Sequence, residues 1–344
     1  VVLNGDPDNT TAILNINSGT ISSEENLAIS NYATVNHSDG TVSSSATDSV
    51  TVANRATGSY TLNGGMITSK TNVFSNLGTF VMTSGTMTTD GNYPTYYNNG
   101  GTATFQGGTI QNPGNKTPIY NKAGTTNIDG INLTNKGTTV QNGDSDNTTA
   151  ILNVKSGTIS SEETSAINNH ATVNHSGGTL SSSSTSKVTV TNQATGSYTL
   201  SGGSITSSAA NTFSNRGTFT MTSGTLTTDG NYPTYYNNGG TTTLKGGTII
   251  QSQNNNSLVY NKAGTINIDG MSFTHNANVL KNGDTTDDSI IMNLTNCNIT
   301  STGSTAITNY GSLTITNGSV TSSAANAINN SSKVTLKGNA KITS

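Results

Sequence analysis

The 344-residue sequence has no tryptophan, a single cysteine (Cys297) and five prolines. Charged residues amount to 9% and apolar residues to 30%, against about 25% and roughly 45–50% in ordinary globular domains. So little apolar side chain cannot fill a wide, spherical core. The formal net charge of −3 is also too small to mark a disordered chain. A thin core extended along the molecule satisfies both constraints. One cysteine excludes an intrachain disulfide framework and a cysteine-rich metal site, and Cys297 is expected to be a small core residue. There are only two arginines, Arg55 and Arg216, and 14 Lys+Arg face 17 Asp+Glu. That balance provides no basic surface for a phosphate backbone, so no nucleic-acid partner is expected. No apolar run approaches the ~20 residues of a membrane span, so no membrane insertion of this segment is expected. The pattern is already under way at Val1 and no signal or sorting tail is legible, so the sequence reads as a segment of a longer protein.

What is abundant is Gly (38), Ser, Thr and Asn, and they are arranged in repeats. Asn4-Gly-Asp-Pro-Asp-Asn-Thr-Thr-Ala-Ile-Leu-Asn returns as Asn142-Gly-Asp-Ser-Asp-Asn-Thr-Thr-Ala-Ile-Leu-Asn, and a looser copy starts at Asn282. Thr88–Thr102 recurs unchanged at Thr227–Thr241. The superrepeat is about 138–140 residues and occurs two and a half times, over about 4–141, 142–281 and a partial 282–344. Within it lies a shorter unit marked by an asparagine, usually followed two or three residues later by Gly-Thr or Ala-Thr. These are Asn4, Asn31, Asn54, Asn76, Asn99, Asn121, Asn142, Asn169, Asn192, Asn215, Asn238, Asn261, Asn282, Asn309 and Asn330. The 15 units average about 23 residues, which is solenoid spacing.

The position two before each asparagine is apolar or aromatic throughout, as in Ile29, Val52, Phe74, Tyr97, Phe213 and Tyr236. A second alternation follows, as in Tyr60-Thr-Leu62, Phe80-Val-Met82 and Leu313-Thr-Ile315, and then a third short apolar position such as Ile21, Val42, Ile110 or Val320. Strict period two predicts strands, not helices. Three short strands per coil predict one continuous all-β, right-handed parallel β-helix over residues 1–344, about 70 Å long at the spacing of neighbouring strands. Asn31, Asn54, Asn76, Asn99, Asn121, Asn169, Asn192, Asn215, Asn238, Asn261, Asn309 and Asn330 are expected to turn the corners in left-handed backbone and to bond one another in a ladder.

The parallel β-helix is a scaffold for pectate lyases and related enzymes, whose chemistry needs clustered carboxylates with a basic residue or Ca²⁺. Outward positions here are mostly Thr, Ser and Asn, and Asp129 and Asp269 stand alone at corners. No catalytic residues are assigned, and polysaccharide degradation is only the alternative reading. Asp6/Asp8, Asp144/Asp146 and Asp284/Asp287/Asp288 occupy the longest corner of each superrepeat. Their spacing fits no standard Ca²⁺ loop, so solvated turns are expected, with Ca²⁺ as the alternative. His37 and His175 fall where other coils carry Leu62, Met82 or Phe105 and are expected to be buried and neutral rather than metal ligands. Thr34, Thr57, Thr79 and Thr102 form no regular two-column Thr-x-Thr face, which disfavours an ice-binding solenoid.

The tyrosines are the most informative outward feature. Tyr93, Tyr96 and Tyr97 cluster with Asp90 and Asn92, and Tyr120 lies on the next coil; the second copy carries Tyr232, Tyr235, Asp229, Asn231 and Tyr260. Alternation counted from Asn99 places Tyr97 in the core and Tyr96 outside. Exposed rings beside Asn and Asp suit sugars, whose apolar C–H faces are edged by hydroxyls. Two such sites on one chain would bind with avidity.

The coil phrase Ala306-Ile-Thr-Asn-Tyr-Gly-Ser-Leu-Thr-Ile-Thr-Asn-Gly-Ser-Val-Thr-Ser-Ser resembles the pectate-lyase-like β-helix repeats of large surface adhesins from Gram-positive bacteria, over essentially the whole chain. Passenger domains of Gram-negative autotransporters are similar in composition. The resemblance implies a non-catalytic extracellular stalk or adhesin, attached to the cell surface through regions outside this segment. It also implies a host or bacterial surface glycan or glycoprotein as partner. Flat Thr/Asn-rich faces, for their part, suit lateral self-association. The chain departs from the enzymes of the same fold by lacking their acidic and basic catalytic cluster.

Overall fold

Alternating sequences cannot form an ordinary parallel sheet, because such sheets are normally covered on both faces and need continuous apolar runs. They can do so if each sheet turns one face to water and shares a narrow interior with its neighbours. This is the arrangement in the computed structural model, which describes residues 1–114 and 116–344. Every named strand pairing is parallel, there is no helix among the described residues, and the coils of about 23 residues stack into a β-solenoid of about 15 turns. The chain divides into two compact units, Val1–Asn174 and His175–Ser344.

In the N-terminal unit a typical coil consists of the strands Ile29–Asn31, Thr34–His37 and Thr41–Ser44. Each pairs in register with its counterpart one coil on: Ile29 with Val52, Val35 with Tyr60 and Val42 with Ile67. The first five third strands of this unit, from Thr20–Ser23 to Thr109–Gln111, form a separate five-stranded sheet. The C-terminal unit repeats the plan, with Val190–Asn192, Ser197–Leu200 and Ser204–Ser207 as one coil.

The first inward file of the N-terminal unit runs through Ile29, Val52, Phe74, Tyr96, Ile119, Val140 and Ile167. In the C-terminal unit it runs through Val190, Phe213, Tyr235, Val259, Leu280, Ile307 and Ile328. The expectation is therefore corrected in two coils, where Tyr96 and Tyr235 take the inward places assigned to Tyr97 and Tyr236. Nearly all of these side chains are fully buried, and each is worth roughly 1.5–3 kcal/mol relative to exposure. The aromatic plugs touch within a coil, where Phe74 and Phe80 lie 4.4 Å apart between ring centroids and Phe213 and Phe219 4.3 Å, and across coils, where Phe74 and Tyr96 stack at 5.7 Å and Phe213 and Tyr235 at 5.8 Å.

The asparagine ladder is present in both units. Asn4, Asn31, Asn54, Asn76, Asn98, Asn121, Asn142 and Asn169 form one series, each Nδ2 donating to the next Oδ1 at 2.8–3.1 Å. Asn192, Asn215, Asn237, Asn261, Asn282, Asn309 and Asn330 form the other, at 2.7–3.0 Å. Two corrections follow. Asn98 and Asn237, not Asn99 and Asn238, are the rungs; Asn99 is exposed and Asn238 half-buried. The rungs also do not turn in left-handed backbone, since Asn254, Asn296 and Asn317 are the described non-glycine residues with positive φ. Most rungs end a short strand, as Asn31 ends Ile29–Asn31, and the amide also satisfies the carbonyls of the bend, as Asn31 Nδ2 does for Ala33 O at 3.0 Å.

Glycine supplies the left-handed corner between the second and third strands, at Gly40, Gly65, Gly85 and Gly108. A Cβ on Gly65 would sit 2.5 Å from Gly40 O and 2.6 Å from His37 Nε2, so stacking as well as φ requires glycine there. The end of the third strand carries a file absent from the sequence-based expectations. Ser44, Ser69, Thr89, Ser182, Ser207, Thr228, Ser301 and Ser322 point inward and are buried. Their hydroxyls bridge bends of adjacent coils: Ser44 Oγ donates to Asn26 O of the preceding coil at 2.7 Å and accepts from Ala46 N of its own bend at 3.2 Å.

Candidate functional site

The strands Tyr96–Phe105 and Tyr235–Leu244 start with Tyr-Tyr-Asn-Asn-Gly-Gly. Alternation sends the first tyrosine and first asparagine inward, and the second tyrosine out. Tyr96 and Tyr235 are therefore fully buried core residues, which corrects their placement among the exposed sugar-contacting residues. Tyr97 and Tyr236 stand half-buried on the outer surface in their place.

In the C-terminal unit the outward rings line an open cleft of about 400 Å³ bounded by Asn211, Tyr232, Pro233, Tyr236, Asn256, Tyr260 and Lys281. Tyr232 is 46% exposed. The chain behind it is pinned by Asn211 Nδ2, which donates to Pro233 O at 2.6 Å. Tyr236 and Tyr260 meet edge to face at 5.3 Å. The Tyr260 hydroxyl donates to Asp284, and Lys281 Nζ reaches Asp284 Oδ1 at 2.5 Å while lying 4.6 Å from the Tyr260 ring centroid. The lysine and the tyrosine hydroxyl hold the Asp284 carboxyl below the usual carboxylate range, and burial with the nearby carboxylate raises the Tyr260 phenol. Asp229 accepts from Ser252 Oγ at 2.7 Å, and Asn231 O accepts from Asn256 Nδ2 at 3.1 Å. Both residues thus brace the loop that carries Tyr232.

The N-terminal unit has the matching parts with different chemistry around them. Tyr93 is 46% exposed, its carbonyl accepts from Asn112 Nδ2 at 2.7 Å, and Pro94 O accepts from Asn72 Nδ2 at 2.9 Å. Tyr97 and Tyr120 meet edge to face at 5.4 Å, and the Tyr120 hydroxyl donates to Asp144. That bond lowers the Asp144 carboxyl, and burial raises Tyr120. Gln141 stands where the other cleft has Lys281, and its Nε2 is held by Gly143 O at 2.6 Å. Asp90 and Asn92 are exposed on the same loop as Tyr93.

The acidic corner loops are organised by their own backbone. Asp6 Oδ1 accepts from Asp8 N and Asn9 N, both at 2.9 Å, and Asp144 Oδ1 accepts from Asp146 N and Asn147 N at 2.9 and 2.8 Å. Asp287 accepts from Ser289 N and Oγ, and Asp288 from Ser332 Oγ. No group of three or more His, Cys, Asp or Glu among the described residues is placed to hold a metal ion. Asp129 accepts from Ser156 Oγ at 3.2 Å.

His37 and His175 are fully buried. Their Nδ1 atoms lie 2.9 Å from the hydroxyls of Tyr60 and Tyr198 respectively. Burial lowers both imidazoles, that of His175 to about 4. They serve the core. Cys297 is buried with Sγ near Ile268 O and Thr295 O, and burial pushes its thiol up.

Sequence reasoning missed Tyr236 as a cleft residue and Tyr97 as its counterpart, and also Asn211, Pro233, Asn256 and Lys281. The signal for the first two was present in the four-residue step from Asn98 to Thr102, which contains an extra corner residue. Lys281 carried no local signal, since it joins the rings only when neighbouring coils stack. No protein-family model, curated protein or solved structure matches the chain.

Proposed function

We propose that this chain is a non-catalytic, extracellular stalk or adhesin segment of a cell-surface protein, attached through regions outside it, whose outer tyrosine clefts bind a surface glycan or glycoprotein. The observation that carries the reading is the cleft of about 400 Å³ faced by Tyr232, Tyr236 and Tyr260, with the same three rings in the other unit, on a chain whose other outward strand positions are mostly Ser, Thr and Asn. Tyrosine rings offer apolar faces to sugar C–H groups, and the amides of Asn211 and Asn256 are placed to meet hydroxyls. The carboxylates beside the rings favour binding over cleavage. A glycosidase needs a carboxyl held protonated as general acid, whereas the carboxyls of Asp144 and Asp284 are shifted the other way.

The test is a glycan array probed with the wild-type chain and with Tyr93→Ala/Tyr97→Ala/Tyr232→Ala/Tyr236→Ala. None of the four side chains belongs to the core, so the circular dichroism spectrum should be unchanged. Loss of the wild-type signals is expected. Equal binding by the variant would remove the clefts from consideration.

A further inference from the structure

The C-terminal cleft and the matching N-terminal rings share their tyrosines but differ in the residue beside them. Around Asp284 stand two lysines: Lys281, in direct contact, and Lys262, close enough to act on the carboxylate electrostatically. Asp287 and Asp288 belong to the same loop and keep their charge while accepting from Ser289 and Ser332. Around Tyr120 stand two aspartates, Asp144 and Asp146, against the single Lys122. What differs at the rings themselves is one residue: the cationic Lys281 lines the C-terminal cleft, and the uncharged Gln141 takes its place in the N-terminal unit.

Lys281 is also fixed in place. One side of its ammonium faces Asp284 at 2.5 Å, and it lies over the Tyr260 ring. An ammonium has three donors, and the Asp284 contact uses one of them. Lys281 lines the cleft together with Tyr232 and Tyr236. A ligand whose ring stacks on these tyrosines would bring any carboxylate on that ring within reach of the lysine. Gln141, its counterpart, carries no charge and is tied to Gly143 O.

From this difference, and resting on the glycan-binding reading above, we infer that the C-terminal cleft selects acidic sugars, those bearing a ring carboxylate such as uronates and sialates, through Lys281. The N-terminal rings, with Gln141 at that position, make no such distinction. The two clefts of the chain then differ in specificity even though their aromatic platforms are copies.

The experiment uses an array on which each acidic oligosaccharide is printed beside its carboxyl-reduced counterpart, so that the members of a pair differ only in charge. The full chain is applied as wild type and as Tyr93→Ala/Tyr97→Ala, which leaves the C-terminal cleft alone. It is also applied as that variant with Lys281→Gln added, and as Gln141→Lys. With the C-terminal cleft alone, acidic members should bind roughly three- to fivefold more tightly than their reduced partners, the range of an exposed ion pair. The ratio should fall to about one with Lys281→Gln, or in about 0.5 M NaCl. Gln141→Lys should raise the acidic preference of the full chain. Equal binding of paired members by the C-terminal cleft, or a preference that survives Lys281→Gln, overturns acidic selection while leaving glycan binding intact. Failure of the wild-type chain to bind either member of any pair overturns both.

Discussion

The Tyr235 hydroxyl lies 2.5 Å from Thr242 Oγ1 inside the C-terminal unit. In the N-terminal unit the corresponding pair is Tyr96 and Ala103, and the Tyr96 hydroxyl has no hydrogen-bond partner among the described residues. The exchange is coupled to volume. Beside Ala103 stands Phe105, 4.9 Å from Tyr96 in an edge-on contact, whereas beside Thr242 stands the smaller Leu244. The two copies thus fill the same space with a different division of polar and apolar atoms.

Removing the hydroxyl in the C-terminal unit with Thr242→Ala should therefore cost about 1–3 kcal/mol, the penalty for leaving a buried donor unmade. Ala103→Thr alone should not help, because Phe105 occupies the room the new side chain needs. The double change Ala103→Thr/Phe105→Leu should stabilise the N-terminal unit by about 1 kcal/mol. Urea midpoints of the three variants check this. A stabilising single Ala103→Thr would contradict the volume argument.

The ladder predicts a contrast between adjacent asparagines. Asn54 Nδ2 donates to Asn76 Oδ1 and to the carbonyls of Gly58 and Thr79, and Asn54 Oδ1 accepts from Asn31. Asn54→Ala should cost roughly 2–4 kcal/mol, since it strands buried groups on both neighbouring coils. Asn98→Ala should behave alike, and Asn99→Ala, at an exposed position, should change stability by less than about 0.5 kcal/mol. Denaturation of Asn98→Ala and Asn99→Ala side by side tests the register directly.

His175 predicts a pH dependence with a definite sign. Its folded value of about 4 lies below the ordinary 6.5 because burial disfavours the charged ring. Above pH 6.5 the ring is neutral in both states and its contribution is fully present. As pH falls from 6.5 towards 4, the unfolded chain takes up a proton that the folded chain refuses, and about 3 kcal/mol of stability is lost. Below that window the loss is constant. His175→Leu should flatten this part of the stability profile. A wild-type and variant pair with parallel profiles between pH 4 and 6.5 would contradict the buried, neutral ring.

The fold was legible because period-two alternation and the recurrent asparagine both follow from one geometry, an inward side chain every second residue and a polar bend once per coil. The site was legible only to within one residue. Asn76-Leu77-Gly78-Thr79 reaches its threonine in three steps, and that rule applied to Tyr96-Tyr97-Asn98-Asn99-Gly100-Gly101-Thr102 selects Asn99 and turns Tyr97 inward. The corner there is one residue longer, seen as a register shift between Asn98 and Thr102. A one-residue slip exchanges the two faces of a strand, and with both tyrosine and asparagine doubled the pattern gave no warning. The serine and threonine file of the third strand was hidden for a different reason. Ser and Thr are so common throughout the sequence that an inward column of them does not stand out from the outward ones.

The central claim is that the outward tyrosines of the two units form separate binding clefts, and the stoichiometry of binding tests it most directly. Isothermal titration of the full chain with a neutral oligosaccharide identified on the array should give two sites per chain. It should give one for Tyr232→Ala/Tyr236→Ala and none when Tyr93→Ala/Tyr97→Ala is added. A stoichiometry that stays the same through both pairs of substitutions would contradict the account.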